Sequence, residues 1–196
     1  MKKTQTVNIG GLVFNIDEDA YSRLSNYLLE IEGRFVNQDE RKEIMADIEF
    51  RIGELLKPRI TPYKQVITLA DIEEVIRVMG EPQAFSGVQE EEEPGKRRTG
   101  SNRRMYRDGD HRVLGGVCSG MAAYWDIDPV LVRILFLLAF FGFGIGILIY
   151  LILWIVIPPA RTTAQKLEMR GEAVTFENIG NFVKEEFNQV KKNMKL

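Results

Sequence analysis

Ile134-Leu-Phe-Leu-Leu-Ala-Phe-Phe-Gly-Phe-Gly-Ile-Gly-Ile-Leu-Ile-Tyr-Leu-Ile-Leu-Trp-Ile-Val-Ile157 is a run of 24 residues without a charge, Asn, Gln, Ser or Thr. As a continuous helix it would be roughly 36 Å long, enough to cross a ~30 Å hydrocarbon layer with some tilt. A helix buried in a water-soluble core is usually shorter and keeps polar residues on one side. The run therefore reads as a transmembrane helix, and no other stretch of the chain comes close.

The edges of the run carry interface chemistry. Asp128 suits an N-cap ahead of Pro129, which has no N–H to leave unpaired at the first helical position. Arg133 lies about one turn inside, where its long side chain can snorkel back to the headgroups. Tyr150 and Trp154, one turn apart, suit the second interface, where amphipathic rings accumulate. Pro158-Pro159 stops the helix, and Arg161 falls beyond it in water.

The bulk numbers exclude more than they assign. The 196 residues allow one ordinary domain plus a membrane segment, or two small units. A net charge of −2 gives no whole-chain field for nucleic acid. Cys118 is the only cysteine, so no internal disulfide can form. Lys2 and Lys3 resemble a basic leader start, but Asn8 and Gly10-Gly11 interrupt what would follow. The N-terminal domain is therefore expected in the cytoplasm.

Between Thr6 and Ile16, two β-prone runs flank Gly10-Gly11, the pattern of a tight hairpin turn with positive φ. Asp17 then caps a helix with Tyr21, Leu24, Leu28, Ile31 and Phe35 on one face. Asn37 and Glu40 form a capping-box pattern for a second helix, whose stripe is Ile44, Ile48, Ile52, Leu55 and Leu56 up to Pro58. Lys64 to Ile67 suits a short strand. Thr68 and Asp71 open a third helix with Ile72, Val75, Ile76 and Met79 inward, closed by Gly80 and Pro82. The order from Tyr21 to Phe85, with its helix Glu40–Glu49 and its closing Val78-Met79-Gly80-Glu81-Pro82, resembles the small HAAS-type domains of bacterial signalling membrane proteins. That resemblance implies association with partner regulators rather than catalysis.

Residues 86–110 read as a charged, disordered linker: the acidic block Glu90–Glu93, then Lys96, Arg97, Arg98, Arg103, Arg104 and Arg107. Base-stacking aromatics are scarce, so no direct nucleic-acid binding is expected. The basic half suits anionic lipid and favours a cytoplasmic side. Val113 to Trp125 reads as a short small-residue helix that lies in the interface or folds back on the membrane helix. Gly116 and Gly120, four apart, let one face approach another backbone closely. Cys118 reads as a packing residue, since no base accompanies it.

Met105-Tyr106-Arg107, Gly116-Val117-Cys118-Ser119-Gly120-Met121-Ala122 and Ile127-Asp128-Pro129-Val130-Leu131-Val132-Arg133 resemble the signature of the phage-shock-protein C (PspC) family. Tyr150-Leu151-Ile152-Leu153-Trp154 and then Pro158 complete it, over about Arg104 to Ala160. Ser119 stands where that family usually has glycine. The resemblance implies a bacterial inner-membrane protein of the envelope-stress response, acting through cytoplasmic regulators or other phage-shock proteins.

Gly142, Gly144 and Gly146 lie mid-run, where glycine either admits a neighbouring helix or breaks the span. Each half would hold only about 10 to 14 residues, too few to cross alone. One crossing is therefore the expected arrangement, over a re-entrant hairpin. The tail 161–196 carries Phe176, Ile179, Phe182, Val183, Phe187, Val190 and Met194 on one helical face. It suits an interfacial helix, a partner-docking helix or self-association equally.

No catalytic set is legible. His111 is the only histidine, and one His with one distant Cys makes no metal site. The glycine pairs lack phosphate-cradling contexts. The expected fold is mainly α: a helical N-terminal domain with a β-hairpin (1–85), the linker (86–110), a membrane domain of short helix plus one transmembrane helix (111–160) and a C-terminal amphipathic helix (161–196). The expected role is that of an inner-membrane regulatory or sensory protein without enzyme activity, metal or cofactor. Its expected partners are the lipid bilayer and cytoplasmic regulators. The alternative is a structural, self-associating membrane protein, a homo-oligomer with no signalling partner.

Overall fold

The computed structural model describes residues 3–82, 103–110, 113–144 and 146–193. The acidic block, most of the linker, His111 and Met194 lie outside them. Two compact units form: Met1–Gly95 with Val174–Leu196, and Lys96–Ala173.

The first unit begins with β1 (Thr4–Ile9) and β2 (Leu12–Asp17), paired antiparallel with Ile9 opposite Leu12. Gly10 and Gly11 turn the hairpin at φ 57° and 83°, the left-handed values that a two-residue primed turn requires. The hairpin is marginal alone and rests on α2 (Gln38–Leu56). A Cβ on Gly10 would sit 2.5 Å from Phe50 Cα, and one on Gly53 3.0 Å from the Ile9 carbonyl. β3 (Val66–Ile67) adds a short parallel edge to β2.

Three helices close the core on one side. In α1 (Glu18–Glu32), Asp17 stands at the N-cap position without a side-chain cap bond. Leu24 and Ile31 are buried as their spacing predicts, but Tyr21 is partly exposed and Tyr27 fills the interior instead. The Tyr27 hydroxyl donates to the Gly80 carbonyl at 2.9 Å, joining α1 to the end of α3 (Leu69–Met79). The α2 stripe of Ile44, Ile48, Ile52 and Leu56 is fully buried. The Asn37 side chain caps this helix by accepting from Asp39 N–H and donates to the Glu40 carboxylate at 2.8 Å.

α3 carries a buried carboxylate with several partners. The buried Asp71 carboxylate accepts from Thr68 N–H at 2.9 Å, from Thr68 Oγ1 at 2.7 Å and from Lys64 Nζ at 2.7 Å. Burial pushes its pKa up, but the bonds from Lys64 and Thr68 outweigh that and hold it below the ordinary aspartate value. The unfolded state therefore takes up this proton first on acidification. Asp71 contributes its full stabilisation above the unfolded value, and that contribution fades as pH falls through the folded one. Asp71→Asn is expected to cost about 1–2 kcal/mol at neutral pH. Urea unfolding should show the gap between variant and wild type closing in strong acid; a gap independent of pH would count against the charge-based account.

The last element of this unit is α8 (Phe176–Asn193), which packs on α2. Phe176, Ile179, Phe182 and Val183 are buried, while Val190 at the far end is exposed. A Cβ on Gly180 would meet the Phe35 ring at 2.9 Å, so glycine lets the helix lie close. Arg34 over Phe176 and Lys184 over Phe35 add cation–π contacts at 5.9 and 5.1 Å. The first half of the tail's apolar face, Phe176 to Val183, is thus covered by the chain's own N-terminal domain.

Candidate functional site

The second unit is built around the apolar run, and here the single transmembrane helix is corrected. The run forms two helices, α5 (Pro129–Phe143) and α6 (Gly146–Val156). α5 ends on Gly144 at φ 69°, whose N–H bonds the Phe140 carbonyl in a left-handed C-cap. At 1.5 Å per residue the two helices are about 22 and 16 Å long, each short of a ~30 Å hydrocarbon core. No helix among the described residues is long and apolar enough to cross a membrane.

The two helices run antiparallel, as their facing pairs show. A Cβ on Gly146 would sit 2.7 Å from Phe140 N, and one turn on, the Phe136 and Tyr150 rings meet edge to face at 5.6 Å. Gly146 is therefore the close-approach glycine of the hairpin and Gly144 its break. Gly142 has open space around it.

The starts and stops follow the sequence. Asp128 Oδ1 accepts from Val130 N–H at 2.7 Å, and Pro129 opens α5. Past α6, Pro158 accepts from Arg107 N–H at 2.8 Å and Ala160 N–H donates to the Arg107 carbonyl at 3.0 Å. Residues 103–110 thus form an extended segment of this unit. Its arginines have defined partners. Arg107 Nε donates to the Ile157 carbonyl at 2.8 Å, and its guanidinium lies 5.8 Å from the Trp154 ring. Arg103 donates to the Tyr124 carbonyl at 2.8 Å, and Arg104 lies 3.9 Å from Glu168.

The small-residue helix is α4 (Val117–Trp125), four residues shorter at its start than the spacing suggests. Gly115 and Gly116 take φ 61° and 76° and cannot continue a right-handed helix backwards. Gly116 and Gly120 do admit a second backbone, but it is not the membrane helix. Their Cβ positions fall 1.9 Å from the Asp108 carbonyl oxygen and 2.0 Å from that of Tyr106. Ser119 is buried. Burial pushes the half-buried Cys118 thiol above its ordinary pKa, with the Arg133 charge pulling the other way.

Tyr150 and Trp154, one turn apart on α6, both reach the loop before α4. The Tyr150 hydroxyl donates to the Leu114 carbonyl. The Trp154 indole packs on Gly115, where a Cβ would approach its Nε1 to 2.8 Å. Both rings fasten α6 to the loop before α4. A further helix, α7 (Thr163–Arg170), packs on α4 and escaped the sequence reading. Thr162 Oγ1 accepts from Gln165 N–H, and Gly171 closes the helix at φ 76°; that Thr-x-x-Gln and glycine pattern was its legible signal.

What this arrangement offers is an uncovered apolar surface. Leu131, Leu135, Leu138, Phe141, Leu148, Ile152, Ile155 and Val156 are all at least half exposed on the hairpin. Patches of this size mark contact with lipid or with another protein. Among the described residues no cluster of His, Cys, Asp and Glu could hold a metal ion.

The comparisons with known proteins fall on this unit alone. No curated protein and no solved structure matches the chain. One family model does, over residues 103–160, from Arg103 to Ala160 beyond the α6 helix. The mainly helical chain, with its small three-stranded sheet, therefore carries a PspC domain, the mark of a phage-shock-related, membrane-associated protein.

Proposed function

We propose that the chain is a non-enzymatic regulatory protein of the envelope-stress type, held on the cytoplasmic face of a bacterial inner membrane. Its PspC domain is the anchor, and its N-terminal unit binds a cytoplasmic regulator. The observation that carries this reading is the α5–α6 hairpin, apolar on its outer surface and latched at its base by Arg107 to Ile157 and Pro158. A hairpin of about 16 to 22 Å reaches into the bilayer and returns without crossing it. The docking of α8 on α2 supports the same topology. Residues before and after the PspC domain belong to one folded unit, which supports placing both on one side of the membrane.

Cysteine labelling tests the topology. In a Cys118→Ala background, single cysteines placed at Asp19 and at Glu185 are both expected to resist an impermeant maleimide in intact spheroplasts and to react in inverted vesicles. Labelling of the two sites from opposite faces would overturn the hairpin. The regulatory role is tested by crosslinking in native membranes followed by mild extraction. A captured cytoplasmic regulator supports it, and recovery of the protein with only itself supports the second reading, a self-associating membrane scaffold. That alternative stands on the same uncovered surface, which a second copy could also cover.

A further inference from the structure

Between the start of α4, α5 and α6 the PspC unit holds a groove of about 420 Å³. Its walls are mostly apolar, with Leu114, Phe136, Leu137, Ile147 and Leu151 among them. Among the described residues one charged side chain lines it, Arg133. Arg133 forms no ion pair or hydrogen bond with any described residue, in contrast to Arg103, Arg104 and Arg107 of the same unit. The hydroxyl of Tyr150, another lining residue, is already engaged with the Leu114 carbonyl. A guanidinium one turn inside the helix start, lining an apolar groove and able to reach headgroup level, is placed to meet an anion.

Charge and shape together select the occupant. A guanidinium presents a planar fork of donors that matches a phosphate, and the groove beside it suits a hydrocarbon chain. A second copy docking through its own hairpin would bring no carboxylate, because the run 134–157 has none. A free anion would leave the apolar walls uncovered. We propose that the groove holds one acyl chain of an anionic phospholipid whose phosphate is gripped by Arg133. The inference rests on the reading of the hairpin as bilayer-inserted.

The test uses the full chain in vesicles of phosphatidylcholine, alone or mixed with phosphatidylglycerol. Flotation reports insertion, and native mass spectrometry after mild detergent extraction reports retained lipid. The wild type is expected to float with both vesicle types and to retain one phosphatidylglycerol in clear excess over phosphatidylcholine, whose phosphate charge is already offset by its own choline cation. Arg133→Gln should still float but lose retention by about tenfold or more, as removal of a bidentate charge-assisted contact implies. Arg133→Lys should retain part of it. Leu137→Trp, which fills the groove from a residue 54% exposed, should also lose the lipid. Arg161→Gln, an exposed cation outside the groove lining, should retain it in full. Equal retention of phosphatidylcholine, unchanged retention in Arg133→Gln, loss in Arg161→Gln, or a lipid-free dimer would each overturn the site. Failure to float with either vesicle type would instead overturn the membrane reading beneath it.

Discussion

Replacing Gly120 with leucine is expected to unfold the PspC domain, and Gly116→Leu to do the same, while Gly142→Ala leaves it intact or slightly firmer. A side chain at Gly120 would place its first carbon 2.0 Å from the Tyr106 carbonyl oxygen, and one at Gly116 would lie 1.9 Å from that of Asp108. Both neighbours are backbone, so no rotamer change can relieve the clash. The extended segment must leave, and with it the Asp108 N–H bond to the Gly116 carbonyl and the Arg107 bridge to Pro158. Ordinary overpacking costs about 1–3 kcal/mol; eviction of a whole segment exceeds that. The φ of 76° at Gly116 adds about 1 kcal/mol for any residue with a Cβ. We therefore expect a loss above ~3 kcal/mol for either leucine variant. Gly142 lies inside α5 with open space around it, so alanine there should gain ~0.5–1 kcal/mol by helix propensity. Thermal melts in detergent, followed by tryptophan fluorescence, separate the three. A Gly120→Leu protein melting with the wild type would show that the 106–108 segment does not seat on α4.

The contrast among these glycines shows where sequence reasoning stops. The spacing of Gly116 and Gly120 says that some backbone comes close, and it does. It says nothing about which one, and the partner proves to be a segment some dozen residues upstream rather than the hydrophobic helix. In the apolar run, composition reports a solvent preference but not a chain direction. A glycine that admits a neighbour and a glycine that reverses the chain have the same hydropathy; only the positive φ of Gly144 distinguishes the turn from the open Gly142. Elements whose chemistry is local were legible. The Gly10-Gly11 turn, the Asn37 and Asp128 caps and the inner faces of α2 and α3 all stand where their residues require. Tyr27 was missed because the stripe was set on Tyr21, Leu24, Leu28, Ile31 and Phe35 and a tyrosine hydroxyl reads as a surface group, yet it finds the Gly80 carbonyl. The Arg107 latch was hidden for a related reason: its partners are backbone carbonyls about 50 residues away, which no local pattern announces.

The largest open choice in the sequence concerned what covers the tail, and the second major prediction follows from its answer. Ile179→Asp is expected to strip α8 from α2 and destabilise the first unit by at least ~4 kcal/mol. Ile179 is fully buried, between the neighbouring Phe176, Phe182 and Val183 of the same face. Removing its side chain from a packed core costs about 2–5 kcal/mol by itself. An aspartate there adds the burial of a charge in an apolar core. Val190→Asp is the matched control, since Val190 is 54% exposed near the helix end and should move stability by less than ~0.5 kcal/mol. Urea unfolding of the full chain, followed by circular dichroism, measures the difference. Limited proteolysis locates it, with cleavage expected within 174–193 for Ile179→Asp and not for Val190→Asp. The same variant probes topology, because α8 is what ties the sequence after the PspC domain to the sequence before it. Once released, a cysteine at Glu185 should still label from the cytoplasmic face if the hairpin alone returns the chain to that side. Labelling that shifts to the opposite face would mean that docking of α8, rather than the turn at Gly144, holds the chain in its same-side arrangement.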